Sequence, residues 1–303
     1  MSGKIDWIAV DWGTSNLRLW ALDSADEVIF SRQSPDGMGK LSREQYPGVL
    51  AALLPDVTDP TDLLICGMAG ARQGWLEAPY LDAPADLTGL GDGAVSPDLD
   101  KSPLSAQILP GVCQRDVGAE DVMRGEETQL LGLSALHPGF SGLVVMPGTH
   151  SKWALLDGTR LTRFSSAMTG EIFEVLRTHS VLRHSFTGEL EGEDRDLGFE
   201  AGLDAGLSHP ERLTAMLFKV RAGALLSGRS PAFCAGYLSG LLIGAEIGGQ
   251  RHWAAGGDIP LIGSVGLCAL YQRGFSKIGR RAHIVDATDA TLAGLKAARK
   301  GMS

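Results

Sequence analysis

An apolar run over residues 5–10 and an alternating run over residues 17–22 predict two strands, with a third over residues 27–33. Residues 42–54 have helical spacing behind Ser42 as N-cap, with Glu44 in the first turn and Pro55 as the stop. Residues 63–68, Leu-Leu-Ile-Cys-Gly-Met, are a short apolar run that ends in glycine, so a buried strand should open into a loop there. Ligands gather at such strand ends in open α/β sheets. Residues 78–110 are rich in Pro, Asp and Gly and predict loops and short strands. A helix is expected over 121–136, with Leu130, Leu131, Leu133 and Leu136 as its apolar face and His137-Pro138-Gly139 as its end.

From Gly142 the strand–turn–strand pattern restarts. Helices are expected over 169–183, 210–227, 265–274 and 288–300, and strands over 259–264 and 282–285. Residues 232–249 are almost uncharged but contain Glu246 and several glycines, which predicts a buried core helix and not a membrane span. Strand clusters followed by helices, twice, predict two related α/β domains with a cleft between them. The expected domains are 1–138 and 139–303, with the last helix packing back on the first.

Two turns carry the strongest chemical pattern. Asp11-Trp12-Gly13-Thr14-Ser15-Asn16 joins the first two strands, and Pro147-Gly148-Thr149-His150-Ser151-Lys152 joins the next such pair. A turn rich in glycine and hydroxyls presents backbone N–H groups to a phosphate, and a carboxylate beside it can hold a hydrated cation. One such turn alone would be an ordinary β-turn. Two, each after an apolar strand and a domain apart, point to a duplication with a phosphate-binding hairpin in each half.

These motifs resemble the first and second phosphate motifs of the actin-like ATPase and sugar-kinase superfamily. Together with residues 66–80, 123–132 and 164–173, they make the chain as a whole similar to the 2-dehydro-3-deoxygalactonokinase family. The resemblance implies duplicated actin-like (ribonuclease H-like) α/β domains and an interdomain site for ATP, Mg²⁺ and a sugar acid. It implies transfer of phosphate to O6 of 2-dehydro-3-deoxy-D-galactonate, a step of galactonate catabolism. By position in the motifs, Asp11 contacts the metal, while Gly13, Thr14, Ser15 and Asn16 with Gly148, Thr149, His150, Ser151 and Lys152 hold phosphates. Glu126, just after the glycine of Arg124-Gly125-Glu126-Glu127, is the general base, with Glu127 as the alternative. Gly263 and Ser264, at a strand-to-helix bend, fall where the superfamily meets adenosine.

Substrate contacts are expected from Arg72, Gln73 and Trp75, with Arg124 and Thr169 as further candidates. Arg72 is the first choice for the carboxylate, since a guanidinium can grip one bidentately. Trp75 offers a flat face for a sugar.

Composition adjusts this picture in three ways. The net charge of −9 supplies no global positive field, which argues against nucleic acid as a partner and requires cations to be concentrated locally. The four cysteines show no metal-like spacing, so buried free thiols in a reducing cytoplasm are expected. The N-terminal residues lack the apolar run of a leader. Expected partners are therefore ATP and a small sugar acid, with a homodimer admissible and no membrane. P-loop, dinucleotide-binding, zincin and serine-hydrolase fingerprints are absent. The rival functions are a kinase for another acid or neutral sugar, a non-catalytic nucleotide sensor, and a plain ATP or polyphosphate hydrolase.

Overall fold

The structure is a computed structural model that describes residues 4–99, 102–254 and 256–302. Residues 1–3, part of the stretch read for a leader, lie outside these. The chain divides into two units: Met1–Ser141 with Leu155–Phe164 and Ala287–Ser303, and Gly142–Ala154 with Ser165–Asp286.

In the first unit, β1 (Trp7–Trp12), β2 (Leu17–Leu22) and β3 (Val28–Ser34) form an antiparallel meander. Helix α1 (Tyr46–Leu53) leads to β4 (Thr61–Gly67), which lies parallel to β1. Short strands β5 (Tyr80–Asp82) and β6 (Ala85–Asp86) precede β7 (Leu104–Ile108), which is parallel to β4. Strands β8 (Gly111–Gln114) and β9 (Asp121–Met123) form a small sheet with β5, and α2 (Glu126–Leu136) follows. The main sheet has the order β3-β2-β1-β4-β7. Central β1 is buried at Trp7, Ile8, Ala9 and Val10, which is why its sequence is continuously apolar and not alternating.

The chain then enters β10 (Ser141–Met146), β11 (Ser151–Asp157) and β12 (Arg160–Ala167). Helices α3 (Thr169–Thr178), α4 (Glu193–Ser208), α5 (Leu213–Ser227) and α6 (Pro231–Gly249) come next. Strand β13 (Ile259–Gly263), α7 (Val265–Lys277), β14 (Ala282–Asp286) and α8 (Ala287–Gly301) complete the chain. The order β14-β13-β10-β11-β12 repeats the first sheet, again with the first and fourth strands parallel. The far ends of β11 and β12 group with the first unit, where β6 pairs with β12. Helix α8 also belongs to the first unit.

Three element expectations are corrected. The helix expected over 121–136 begins at Glu126, because Gly125 has φ 105° and breaks the helical path, leaving 121–123 as a strand against β8. The helix expected over 169–183 ends at Thr178 and is followed by a separate 3₁₀ turn, Val181–Ser185. Helix α4 was not expected at all. Its buried face sets Gly198, Gly202 and Gly206 beside Phe199, Leu203 and Leu207, so its apolar stripe is only one side chain wide.

Those glycines face Gly236, Gly240 and Gly244 of α6. A Cβ on Gly202 would lie 2.2 Å from the Tyr237 carbonyl oxygen, and one on Gly240 would lie 2.1 Å from that of Phe199. The two helices therefore pack backbone against backbone. Helix α6 is the core helix foreseen: it is long and apolar enough to cross a membrane by composition, yet most of it is buried within the protein. The first unit repeats the device, since a Cβ on Gly132 of α2 would lie 1.7 Å from the Ala290 carbonyl oxygen of α8. All four cysteines are buried and free, as expected.

Candidate active site

In the first unit the site is assembled at the ends of β1 and β4. Their register sets Asp11 opposite Cys66 and Trp12 opposite Gly67. Gly67 has φ 89°, and a Cβ there would lie 2.7 Å from the Trp12 carbonyl oxygen. Gly125 in turn comes so near that its Cβ would lie 3.2 Å from the Gly67 Cα. Two glycines thus let the start of α2 close on the strand ends, bringing Asp11, Glu126 and Glu127 to one place.

The turn Gly13–Asn16 is braced by the Gly13 N–H donating to the Asn16 carbonyl at 2.9 Å. Thr14, Ser15 and Asn16 are exposed. The segment after β3 packs on this turn: the Met38 and Gly39 N–H groups donate to the carbonyls of Gly13 and Thr14, at 3.0 and 2.9 Å. A Cβ on Gly37 would fall 2.3 Å from the Ser15 backbone. Gly37-Met38-Gly39-Lys40 lacks the spacing and hydroxyl of a P-loop and matches no other fingerprint. Its closely spaced glycines were the available sign of a close backbone approach.

The two glutamates differ. Glu127 is buried, and both its oxygens accept the Gly125 N–H, at 2.8 and 2.7 Å. Burial, and then the neighbouring Glu126, push its carboxyl up to about 7. Glu126 is half-buried, and its Oε2 accepts the Arg124 N–H at 3.0 Å. Asp11 is also pushed above the usual carboxylate range by burial, partly offset by Arg18 across the strand pair.

A pH dependence follows from Glu127. Its proton is held in the folded state up to about pH 7 but released near 4.5 once the chain unfolds. Stability should therefore fall as pH rises through that window, by on the order of 3 kcal/mol. Glu127→Gln should abolish this component. Urea midpoints at pH 5 and pH 8 for both proteins check it, and identical pH dependence in the two would refute it.

The expected substrate residues are scattered. Arg72 and Gln73 are exposed in the loop after β4, and the Arg72 side chain, 80% exposed, pairs with Glu77 at 3.3 Å. The structure takes Trp75 into the core, stacked on Tyr46 at 5.5 Å and edge-on to Trp12. Arg124 is buried, with its guanidinium 4.3 Å from the Tyr80 ring centre and its Nη2 donating to the Ala78 carbonyl at 2.8 Å. Its Nε and Nη1 have no hydrogen-bond partner among the described residues.

In the second unit the turn after β10 sits on the start of α3. The Glu171 N–H donates to the Thr149 carbonyl at 3.0 Å, and the His150 ring pairs with the Glu171 carboxylate. A Cβ on Gly170 would lie 2.4 Å from the Gly148 carbonyl oxygen. Thr149 and His150 are exposed, whereas Ser151 and Lys152 are buried. Lys152 donates to Ser166 at 2.5 Å. A Cβ on Gly263 would lie 2.8 Å from the Pro147 carbonyl oxygen, so the β13–α7 bend abuts the same turn. Ser264 is the N-cap of α7, and its hydroxyl makes no capping bond.

Beside these elements lies a cavity of about 670 Å³, within the range of small-molecule sites. Gly148, Thr169 and Gly170 wall one side, Ser239 and Leu242 another, and Tyr271 a third. Thr169, expected as a substrate contact, thus faces a cavity of the second unit.

Two sheets of one repeated order, each with a glycine-rich hairpin at the end of its first strand, define the duplicated actin-like α/β class. The comparisons resolve the family. A profile of the 2-keto-3-deoxy-galactonokinase family matches residues 11–298. The chain is 41% identical to the Rhizobium meliloti protein named "Probable 2-dehydro-3-deoxygalactonokinase DgoK1", covering 98% of this chain and 97% of that one. It is 37% identical to the 2-dehydro-3-deoxygalactonokinase of Escherichia coli, covering 96% of each. A Sinorhizobium meliloti crystal structure of like designation superposes with a TM-score of 0.91 at 41% identity, over 98% of this chain and 99% of that one. The chain belongs to the 2-keto-3-deoxy-galactonokinase family and is a kinase.

Proposed function

We propose that this kinase transfers the γ-phosphoryl group of ATP to O6 of 2-dehydro-3-deoxy-D-galactonate, acting in the cytoplasm. The observation that carries the reading is the placement of Asp11, Glu126 and the Gly13–Asn16 turn at one strand-end cluster, in a chain whose relatives bear that name. The exposed hydroxyls and N–H groups of the two hairpins would hold phosphates. The cavity beside α7 has the size for the nucleoside. Glu126, less enclosed than Glu127, takes the proton from the sugar hydroxyl. The O6–phosphorus bond then forms as the bond from phosphorus to the ADP oxygen breaks.

Among the described residues no three His, Cys, Asp or Glu side chains converge as a metal cage. Mg²⁺ does not need one: it keeps waters and is held by one or two carboxylates together with phosphate oxygens. Asp11 suits that role, because a nearby cation would relieve the burial of its charge. When bound, Mg²⁺ neutralises charge on the β- and γ-phosphate oxygens.

Arg72 would take the substrate carboxylate. Its exposed pair with Glu77 is of the weak surface kind and can be exchanged. The test is ADP release with Mg·ATP across 2-keto-3-deoxy sugar acids, their epimers and neutral sugars. Turnover dependent on 2-dehydro-3-deoxygalactonate, with a phosphorylated product by mass, is expected. Arg72→Ala should raise the KM for the acid about tenfold or more and leave that for ATP unchanged. Turnover with a neutral sugar alone would overturn the substrate reading.

A further inference from the structure

The second unit contains a buried polar cluster centred on Glu246, a residue that none of the roles above uses. Glu246, in the last turn of α6, is buried in an otherwise uncharged helix. Its Oε1 accepts the Trp153 Nε1–H at 2.7 Å, and its Oε2 accepts the Tyr271 hydroxyl at 2.5 Å. The Tyr271 oxygen lies 2.9 Å from the Ser151 hydroxyl. Ser151 hydrogen-bonds to Glu246 as well as to Tyr271. Thr169 also hydrogen-bonds to Glu246.

The partners come from three places. Ser151 and Trp153 begin β11, immediately after the second hairpin turn. Thr169 is the first residue of α3, on which that turn rests. Tyr271 lies on α7 and, with Thr169, walls the cavity. Burying a carboxylate is costly unless its hydrogen bonds are well made, so an apolar residue would serve simple packing better at this position. Burial does push the Glu246 carboxyl above its usual range despite four hydrogen-bonding neighbours. Chains of hydrogen bonds of this kind rigidify when every member is satisfied.

We propose that Glu246 is a positioning residue for nucleotide binding: its carboxylate is the common acceptor that fixes the second phosphate hairpin, the start of α3 and the α7 wall of the cavity in one arrangement. This rests on the reading of that cavity and hairpin as the nucleotide site. It adds that the site's shape is set from behind by an acid that touches no ligand. Ser151, expected to hold phosphate, is also a member of this network, through both Tyr271 and Glu246.

The direct test is Glu246→Gln, which keeps the volume but leaves one carbonyl oxygen for the Trp153 and Tyr271 donors together. Tyr271→Phe is the second variant; it keeps the ring on the cavity wall and removes only the hydroxyl. Both should raise the Kd for ADP and for Mg·ATP about tenfold, measured calorimetrically. In turnover the loss should appear in the KM for ATP, with the KM for the sugar acid unchanged. Ser151→Ala should weaken binding alone and add less than its full effect to Tyr271→Phe, since both belong to one hydrogen-bonded network. Unchanged nucleotide affinity in Glu246→Gln and Tyr271→Phe, even with lowered melting temperatures, would overturn the proposal. Absence of nucleotide binding by the wild-type protein would overturn it together with the reading of the cavity. Because the readout is nucleotide binding, a failure of the sugar assignment would show separately, as missing turnover.

Discussion

Glu126→Gln is expected to lower kcat by roughly 10²–10⁴-fold, the span that a positioned general base contributes. The carboxamide keeps the size and an acceptor for the Arg124 N–H, so the start of α2 should hold its shape. It cannot take a proton. Nucleotide affinity should therefore stay within about twofold to threefold of wild type. The matching change at the neighbouring position separates the two glutamates. Glu127 is enclosed and already receives the Gly125 N–H on both oxygens, so Glu127→Gln should act on stability and its pH dependence more than on the chemical step. Single-turnover measurements on both variants decide the matter. A larger kcat loss in Glu127→Gln than in Glu126→Gln would exchange the assignments. A nucleotide sensor would show no dependence on Glu126 at all.

The second large effect is structural. Gly202→Ala places a methyl group 2.2 Å from the Tyr237 carbonyl oxygen and 2.8 Å from the Leu241 nitrogen, both backbone atoms of α6. No rotamer change relieves such a clash, so the helices must separate along the contact. Overpacking a tight interior costs about 1–3 kcal/mol and sometimes more, against which alanine returns at most about 1 kcal/mol of helix propensity. A net loss of roughly 1–2 kcal/mol is expected, lowering the melting temperature by about 2–8 °C. Gly249→Ala, at the end of α6 with open space around its Cα, is the control and should be neutral or slightly stabilising. Equal melting temperatures for the two variants would show that the helix pair yields easily.

Most strand positions were legible because apolar runs stop where glycines and turns begin, whereas the strand order was not. The duplication was visible in the two hairpins, whose turn residues are set by local geometry. Helix α4 was not legible, since glycines make half of its buried face and leave only the narrow row Phe199, Leu203 and Leu207 as a hydrophobic signal. The four-residue spacing of Gly198, Gly202 and Gly206, matched by Gly236, Gly240 and Gly244, was the sign available. The break before α2 was hidden for a related reason: Val122 and Met123 continue an apolar pattern, and only the positive φ of Gly125 ends it. In the sites, residue types were informative and burial was not. Trp75 and Arg72 share one loop, yet one is drawn into an aromatic cluster and the other left in solvent, a difference set by neighbours distant in sequence. Ser151 and Lys152 likewise open a strand that is buried on both faces, beyond what the hairpin motif alone reveals.

Helices α4 and α6 each carry several interior glycines, and each such glycine weakens an isolated helix by about 1 kcal/mol. Neither segment should therefore persist alone; each gains its order by docking on the other's main chain. Their amides should behave as one unit in native-state hydrogen exchange, opening with a common free energy and a common denaturant dependence. Ser239 of the cavity wall and Glu246 both lie on α6. An opening of the pair would therefore release the nucleotide wall and its buried acid in the same event, so bound nucleotide should slow the exchange of α4 and α6 amides together.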